Sequence, residues 1–368
     1  MDNVSWRAAF LLNVPLALAV VFIAVRHVPE NRDPDARTLD IPGAILATVG
    51  LGGIVYGLIE SSNAGFGSVA VIVSLFLGAL ALVAFFVRER RTQKPMLPLS
   101  LFRSRNFSGA NLLTLLLYAA LGGALYFFPF VLIQVHGYSA TAAGSSFLPF
   151  VIITFLMSRW AGGLVTRYGA RLPLIIGPLV AATGFILFAI PGTDGSYWMT
   201  FFPAVVVLGL GMSFVIAPLT TTAMTSVESS HSGLASGVNN AVSRSAGLLA
   251  IPLLGIFVFL TFSAALDART ARLDLFPQAR QQLEAEKMDL GAAEVPEGVS
   301  GETAAGVESA LAESFVAGFR VAMVAAANLA VASAAASALI YIGYMLEGKD
   351  GYEVERVVAV ACRRCSDR

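Results

Sequence analysis

Charge is scarce in this 368-residue chain: Asp, Glu, Lys and Arg together make up 13%. A soluble domain carries about 25%. The 24 basic and 24 acidic residues cancel, so no basic surface points to a nucleic-acid partner. Cysteine is almost absent. Cys362 and Cys365 are the only two, which excludes a disulfide framework. A tetrahedral zinc site needs two more ligands beside this Cys-x-x-Cys. His27, His136 and His231 lie far from it in sequence, so no metal site is expected. Enzyme signatures are missing too: there is no His-Glu-x-x-His, Gly-x-Ser-x-Gly or Walker loop. No cofactor is implied, and the chain does not read as an enzyme.

Apolar residues are what the chain has, at 57% and a mean hydropathy of +0.75. Nine continuous apolar stretches fall at 10–26, 41–60, 69–87, 108–134, 140–165, 172–190, 198–225, 235–265 and 315–346. A helix needs about 20 such residues to cross the hydrocarbon. Continuous runs, instead of alternating ones, mean helices and not barrel strands. The expected fold is therefore an all-α polytopic membrane protein with about nine transmembrane helices in a lipid bilayer.

Basic residues assign the sides. Gap 26–40 holds Arg26, Arg32 and Arg37, and gap 88–107 holds Arg88, Arg90, Arg91, Lys94, Arg103 and Arg105. The region 159–171 holds Arg159, Arg167 and Arg171, and the tail 347–368 holds Lys349, Arg356, Arg363, Arg364 and Arg368. The alternate gaps 61–68, 135–139 and 191–197 contain no Lys or Arg. This places the N-terminus outside and the C-terminus inside. The polar segment 266–313, with ten acids and four basic residues, is expected outside. Its first part can form an amphipathic helix, and the Gly- and Glu-rich part after it reads as flexible.

Charges inside spans are costly and are candidates for function. Arg320 near the outer face reads as snorkelling or pairing with Glu313, and Glu60 as a solvated helix end. Arg244 lies deeper, with Asn239 and Asn240 beside it. Asn240 and Arg244, four apart, share a helix face. No Asp or Glu stands in the middle of any span, so a carboxylate for proton coupling would have to come from outside this chain. Glycine pairs Gly52-Gly53 and Gly122-Gly123 suit close helix packing. Pro129, Pro149, Pro218 and Pro252 suit kinked helices.

Several motifs go further. WRAAFLLNVP (Trp6, Arg7, Phe10, Asn13, Pro15), TLDIPGAIL (Asp40, Gly43), KPMLPLSLFRSRNF, FPFVLIQVHGYSATAAGSSFLP (Gln134, Gly137, Tyr138, Ser139, Gly144, Pro149) and GLASGVNNAVSRSAG occur in this order. Together the chain resembles the fourteen-helix drug:proton antiporter branch of the major facilitator superfamily. GGLVTRYGAR resembles the superfamily's cytoplasmic loop motif through Gly162, Leu164, Arg167, Gly169 and Arg171, with Thr166 where the motif has Asp.

The resemblance implies a partial fold. Residues 1–26 would be the last helix of the N-terminal half, and 27–107 two linker helices with a cytoplasmic loop. Residues 108–346 would be the six-helix C-terminal half, built as two inverted three-helix repeats, and 347–368 a cytoplasmic tail. The first five helices would be missing. The implied function is export of small lipophilic molecules in exchange for protons, in a bacterial cytoplasmic membrane. The partners would be the substrate, the proton gradient and the missing N-terminal half. Candidate pathway residues are Tyr118, Tyr126, Phe127, Phe130, Gln134, Phe147, Asn239, Asn240 and Arg244. A metabolite permease of the same superfamily, or a non-transporting membrane fragment or subunit, remain alternative readings.

Overall fold

The computed structural model describes residues 7–11, 13–27, 40–92, 95–228 and 231–366, and the side chains of 8, 9, 62, 63, 165–168 and 340–366 fall outside that description. The described residues are helical nearly throughout, with no strand among them. In chain order the helices are α1 (Arg7–Leu11), α2 (Asn13–His27), α3 (Ile41–Ala64), α4 (Val69–Arg91), α5 (Arg105–Phe130), α6 (Ala140–Ser145), α7 (Leu148–Tyr168), α8 (Arg171–Phe188), α9 (Tyr197–Thr200), α10 (Phe202–Thr225), α11 (Ser232–Thr270), α12 (Pro277–Glu286) and α13 (Gly301–Ser366). Eight helices among the described residues are long and apolar enough to cross a membrane. The expected first span falls on α1 and α2. The longer of these has 15 residues, and none of α2 is buried.

Local chemistry explains most boundaries. Asp40 caps α3 by accepting from the Gly43 N–H at 3.0 Å, and Pro42 sits in the first turn, where a missing N–H costs nothing. Ser104 caps α5. Pro129 removes a backbone donor near the end of α5, and the chain widens into a π-helical turn over Val131–Val135. Arg88, Arg90 and Arg91 close the last turn of α4, where the macrodipole favours cations.

Six helices form the main bundle: α5, α7, α8, α10, α11 and α13. Much of its packing repeats in an exchanged pattern, although the close packing of α11 on α13 has no equally close counterpart between α7 and α8. α5 against α13 mirrors α10 against α8, and α5 against α11 mirrors α10 against α7, while α8 meets α13. α3 and α4 form a separate tight pair that touches the bundle through α11. In lipid no hydrophobic force drives helices together, so close packing must do it. Glycine supplies that at the seams: Gly53 faces Gly78, Gly122 faces Gly247, and Gly211 faces Ala181 and Gly177. Gly123 abuts Leu254, whereas Gly52 has nothing within 4 Å.

Two expectations need correction. The span expected over 140–165 runs slightly longer: α7 continues to Tyr168, so the first part of the loop motif is helical, and Gly169, at φ +76°, makes the turn into α8. Arg159 lies inside this helix, as the expected bounds also had it. The later part of segment 266–313 is not flexible throughout. α11 extends to Thr270 and α13 begins at Gly301. Val307, Ala310, Leu311 and Phe315 recur at helical spacing and are buried in the main core, which orders a stretch that composition alone reads as loose. Between them α12 and a 3₁₀ turn over Lys287–Ala292 form a cap. Leu275, Ala279 and Leu283 of this cap are buried.

Candidate substrate pathway

α5 carries most of the aromatic candidates, and its pitch sorts them. Tyr126 and Phe130, one turn apart, are exposed, with ring centroids 5.3 Å apart. Gln134, one turn further, is also exposed. Gly291 of the cap turn lies beside it, since a Cβ on Gly291 would stand 3.2 Å from Gln134 Cβ. Tyr118 is half-buried. Phe127, by contrast, is 4% exposed and belongs to the core. Phe147 is half-buried and packs edge-on against Phe128 at 5.2 Å. Phe128 also meets Phe188 and Phe201. Phe127 and Phe147 are therefore packing residues, and Tyr126, Phe130 and Gln134 form the accessible stripe.

The polar group on α11 divides in the same way. Asn239 is buried, and its Nδ2 donates to Thr114 Oγ1 at 2.6 Å and to Asn111 Oδ1 at 3.4 Å. It pins α11 to α5. Asn240 and Arg244 point away from this junction and are exposed. Asn240 Nδ2 donates to Ser236 O at 3.1 Å.

The loop motif is split as well. Gly162 and Leu164 are half-buried on α7. Leu164 joins Leu156, Arg159, Trp160 and Gly163 around an open groove of about 540 Å³. Gly169 supplies the turn, Arg171 opens α8, and the Arg167 side chain lies outside the described residues.

Other ion pairs were not apparent from sequence. Arg88 donates through Nε and Nη2 to Asp40 Oδ1 at 3.0 and 2.8 Å, joining the two ends of the α3–α4 pair. The Arg88 hydrogen bond first, then the Gly43 N–H, holds the Asp40 carboxyl below its ordinary value of 3.8, against an opposing effect of burial. Glu89 Oε2 accepts from the Leu97 N–H at 2.8 Å. In the cap, Lys287 donates to Asp267 and Glu284. Burial pulls its pKa down, but the two carboxylates together outweigh that and hold it above 10.5. Arg269 pairs with Glu313 at 3.0 Å. Arg320 does not pair with Glu313. It donates to Ile190 O and Pro191 O, satisfying carbonyls just past the end of α8. His136, beyond the π turn, faces the Phe201 ring at 5.2 Å. Burial lowers its pKa, with Asp194 acting the other way.

An apolar, gly-seamed bundle of membrane-length helices with much of its packing repeated defines a polytopic membrane protein. The profile of the Major Facilitator Superfamily matches residues 1–251, and the chain belongs to that superfamily. Multidrug resistance protein Stp of Mycobacterium tuberculosis (strain ATCC 25618 / H37Rv) is 31% identical over 288 residues, 77% of this chain and 52% of that protein. The cephamycin export protein CmcT of Amycolatopsis lactamdurans is 32% identical over 257 residues, 69% of this chain and 53% of that one. The tetracenomycin C resistance and export protein of Streptomyces glaucescens is 26% identical over 339 residues, 91% of this chain and 63% of that one. The chain thus spans about half the length of the first two relatives. Among solved structures, a bacterial homolog to human lysosomal transporter Spinster, inward-facing and unoccupied, is similar with a TM-score of 0.48 and 18% identity, over 80% of this chain and 67% of that one.

Proposed function

We propose that this chain is the C-terminal part of a drug-efflux permease that exports lipophilic small molecules in exchange for protons. The observation that carries the reading is the run of relatives bearing export and resistance names, aligned over most of this chain but half of theirs. Residues 108–346 then form the six-helix half, and their largely repeated packing fits two exchanged three-helix repeats. Alternating access needs a second half to rock against, so the working unit includes a counterpart to the part of the relatives' length that this chain does not match. Proton coupling falls to that counterpart, because no carboxylate stands mid-span here. The accessible stripe Tyr126, Phe130 and Gln134, with Asn240 and Arg244, forms this half's share of the pathway. The basic gaps and tail face the cytoplasm and the cap over 271–300 faces outward, in a bacterial cytoplasmic membrane.

The test is export of ethidium from energised cells. Cells making the chain together with the first five helices of the Stp protein should lose ethidium faster than cells making either piece alone, and a protonophore should stop it. Equal rates in all three strains would refute the proposal.

A further inference from the structure

Acidic residues are distributed unevenly along this chain. There is none between Glu89 and Asp194, none between Asp194 and Glu228, and none between Glu228 and Asp267. These intervals contain α5, α7, α8, α10 and nearly all the membrane-crossing length of α11. Arg159 and Arg244 lie within the same intervals, inside α7 and α11. These stretches therefore carry in-helix cations and no acidic residue of their own; Arg159 lies toward the inner end of α7.

Arg244 is the deeper case. α5 and α11 run parallel: Asn239 meets Asn111 and Thr114, Gly247 meets Gly122, and Gly255 lies against Phe127. Interpolation sets Arg244 level with Tyr118. That is about 20 Å along α5 from Arg105 at its inner end, at 1.5 Å per residue. The hydrocarbon is about 30 Å thick, so Arg244 sits deep within it, well away from the inner surface. Snorkelling does not carry a guanidinium from there to either headgroup layer, which removes lipid phosphate as the partner. Deprotonation is not available to arginine either. A fixed charge at this depth marks a substrate or ion pathway, and an anion is the ligand it would hold best.

The local surface is built to admit one. Arg244 and Asn240 are exposed, one turn apart on the same face, and among the described residues Arg244 has no ion pair. Exposed neighbours Gly237 and Ala241 are small. One Asn240 amide N–H is used on Ser236 O, and the second is free to donate. A guanidinium fork takes both oxygens of a planar oxyanion, and a neighbouring amide donor adds a third contact.

We propose that Arg244, with Asn240, is an acceptor deep in the membrane for a lipophilic organic oxyanion, such as an aryl carboxylate. This rests on the efflux reading above and adds the substrate's charge to it.

The test uses the whole 368-residue chain in nanodiscs of zwitterionic phosphatidylcholine, with uptake by empty nanodiscs subtracted. Equilibrium dialysis compares 1-naphthoate with its neutral isostere 1-naphthamide. The chain should bind the carboxylate about tenfold or more tighter than the amide. Arg244→Gln should bring the two to parity. Arg244→Lys, which keeps the charge and loses the fork, should retain part of the preference and shows that a substituted chain still folds. Equal affinity for both ligands in the unaltered chain overturns the proposal and leaves the efflux reading standing. That is also the result expected if a protein carboxylate is Arg244's true partner. A preference that survives Arg244→Gln overturns it as well. Binding of neither ligand counts against the proposal and the efflux reading together.

Discussion

Gly211 lies where α10 presses hardest on α8. A Cβ at this position would stand 2.5 Å from Ala181 N, 2.9 Å from Ala181 Cα and 2.9 Å from Gly177 O. All three atoms are backbone, so no side chain can swing aside. Non-bonded carbon contacts settle at about 3.5–4.0 Å, and Gly211→Ala must therefore push the two helices apart by roughly 1 Å. A gap of that size forfeits about a quarter to a half of the dispersion well for each atom pair along the seam. Overpacking of this kind costs about 1–3 kcal/mol. Alanine's better helix propensity returns about 1 kcal/mol at most. In lipid the seam is held by packing alone, so the net effect should be a loss of about 1–2 kcal/mol. Gly52→Ala is the matched control, because nothing stands within 4 Å of its Cβ position and only the propensity gain remains. Apparent melting midpoints of both variants, read by far-ultraviolet circular dichroism in one detergent at one scan rate, decide the matter. Gly211→Ala should melt below the parent chain and Gly52→Ala at or above it. A Gly211→Ala chain as stable as Gly52→Ala would refute the reasoning that glycine sets the α8–α10 approach.

Further outcomes follow from the polar contacts. Asn239→Ala should cost about 1 kcal/mol by removing the donor that ties α11 to Asn111 Oδ1 and Thr114 Oγ1 on α5, while Asn240→Ala should leave the melting midpoint unchanged, since its amide bonds only its own helix. The depressed carboxyl of Asp40 contributes stability that is present above pH 3.8 and lost as the pH falls through its lower folded value, and Asp40→Asn should remove that acid limb from a pH–stability profile. Lys287 has the opposite sign: its contribution is complete below pH 10.5 and lost as the pH rises through its higher folded value. Lys287→Ala should speed proteolytic cleavage within 271–300 several-fold, and should leave the bundle's helical signal intact.

How much of this was legible beforehand differs from helix to helix. α3, α4, α5, α8 and α10 are long apolar runs, and in lipid such a run has little alternative to a helix, because every backbone group must be satisfied internally. The N-terminal part of α13 was not read that way, because its acids mask the buried stripe Val307, Ala310, Leu311 and Phe315, which periodicity shows and composition hides. The end of α7 was legible to within three residues, since the apolar run fades near 165 and the positive φ at Gly169 stops the helix. On α11, neighbouring asparagines 239 and 240 necessarily point about 100° apart. Which of them is buried depends on Asn111 and Thr114, far away in the chain. The ion pair of Asp40 with Arg88 and the seat of the cap on the bundle are non-local in the same way. Pathway residues are named by type in the sequence; burial removes Phe127 from the accessible stripe and the edge-on contact with Phe128 engages Phe147, while Tyr126, Phe130 and Gln134 stay on it.

Sidedness offers the most direct test of a membrane-crossing bundle with basic gaps inside and the cap outside. Single cysteines would be placed at Arg103, Asp194 and Ser300 in a chain carrying Cys362→Ser and Cys365→Ser, and spheroplasts treated with a membrane-impermeant maleimide. Positions 194 and 300 should label on intact spheroplasts, and position 103 only after permeabilisation. Labelling of 103 on intact spheroplasts, or protection of both 194 and 300, would contradict the topology.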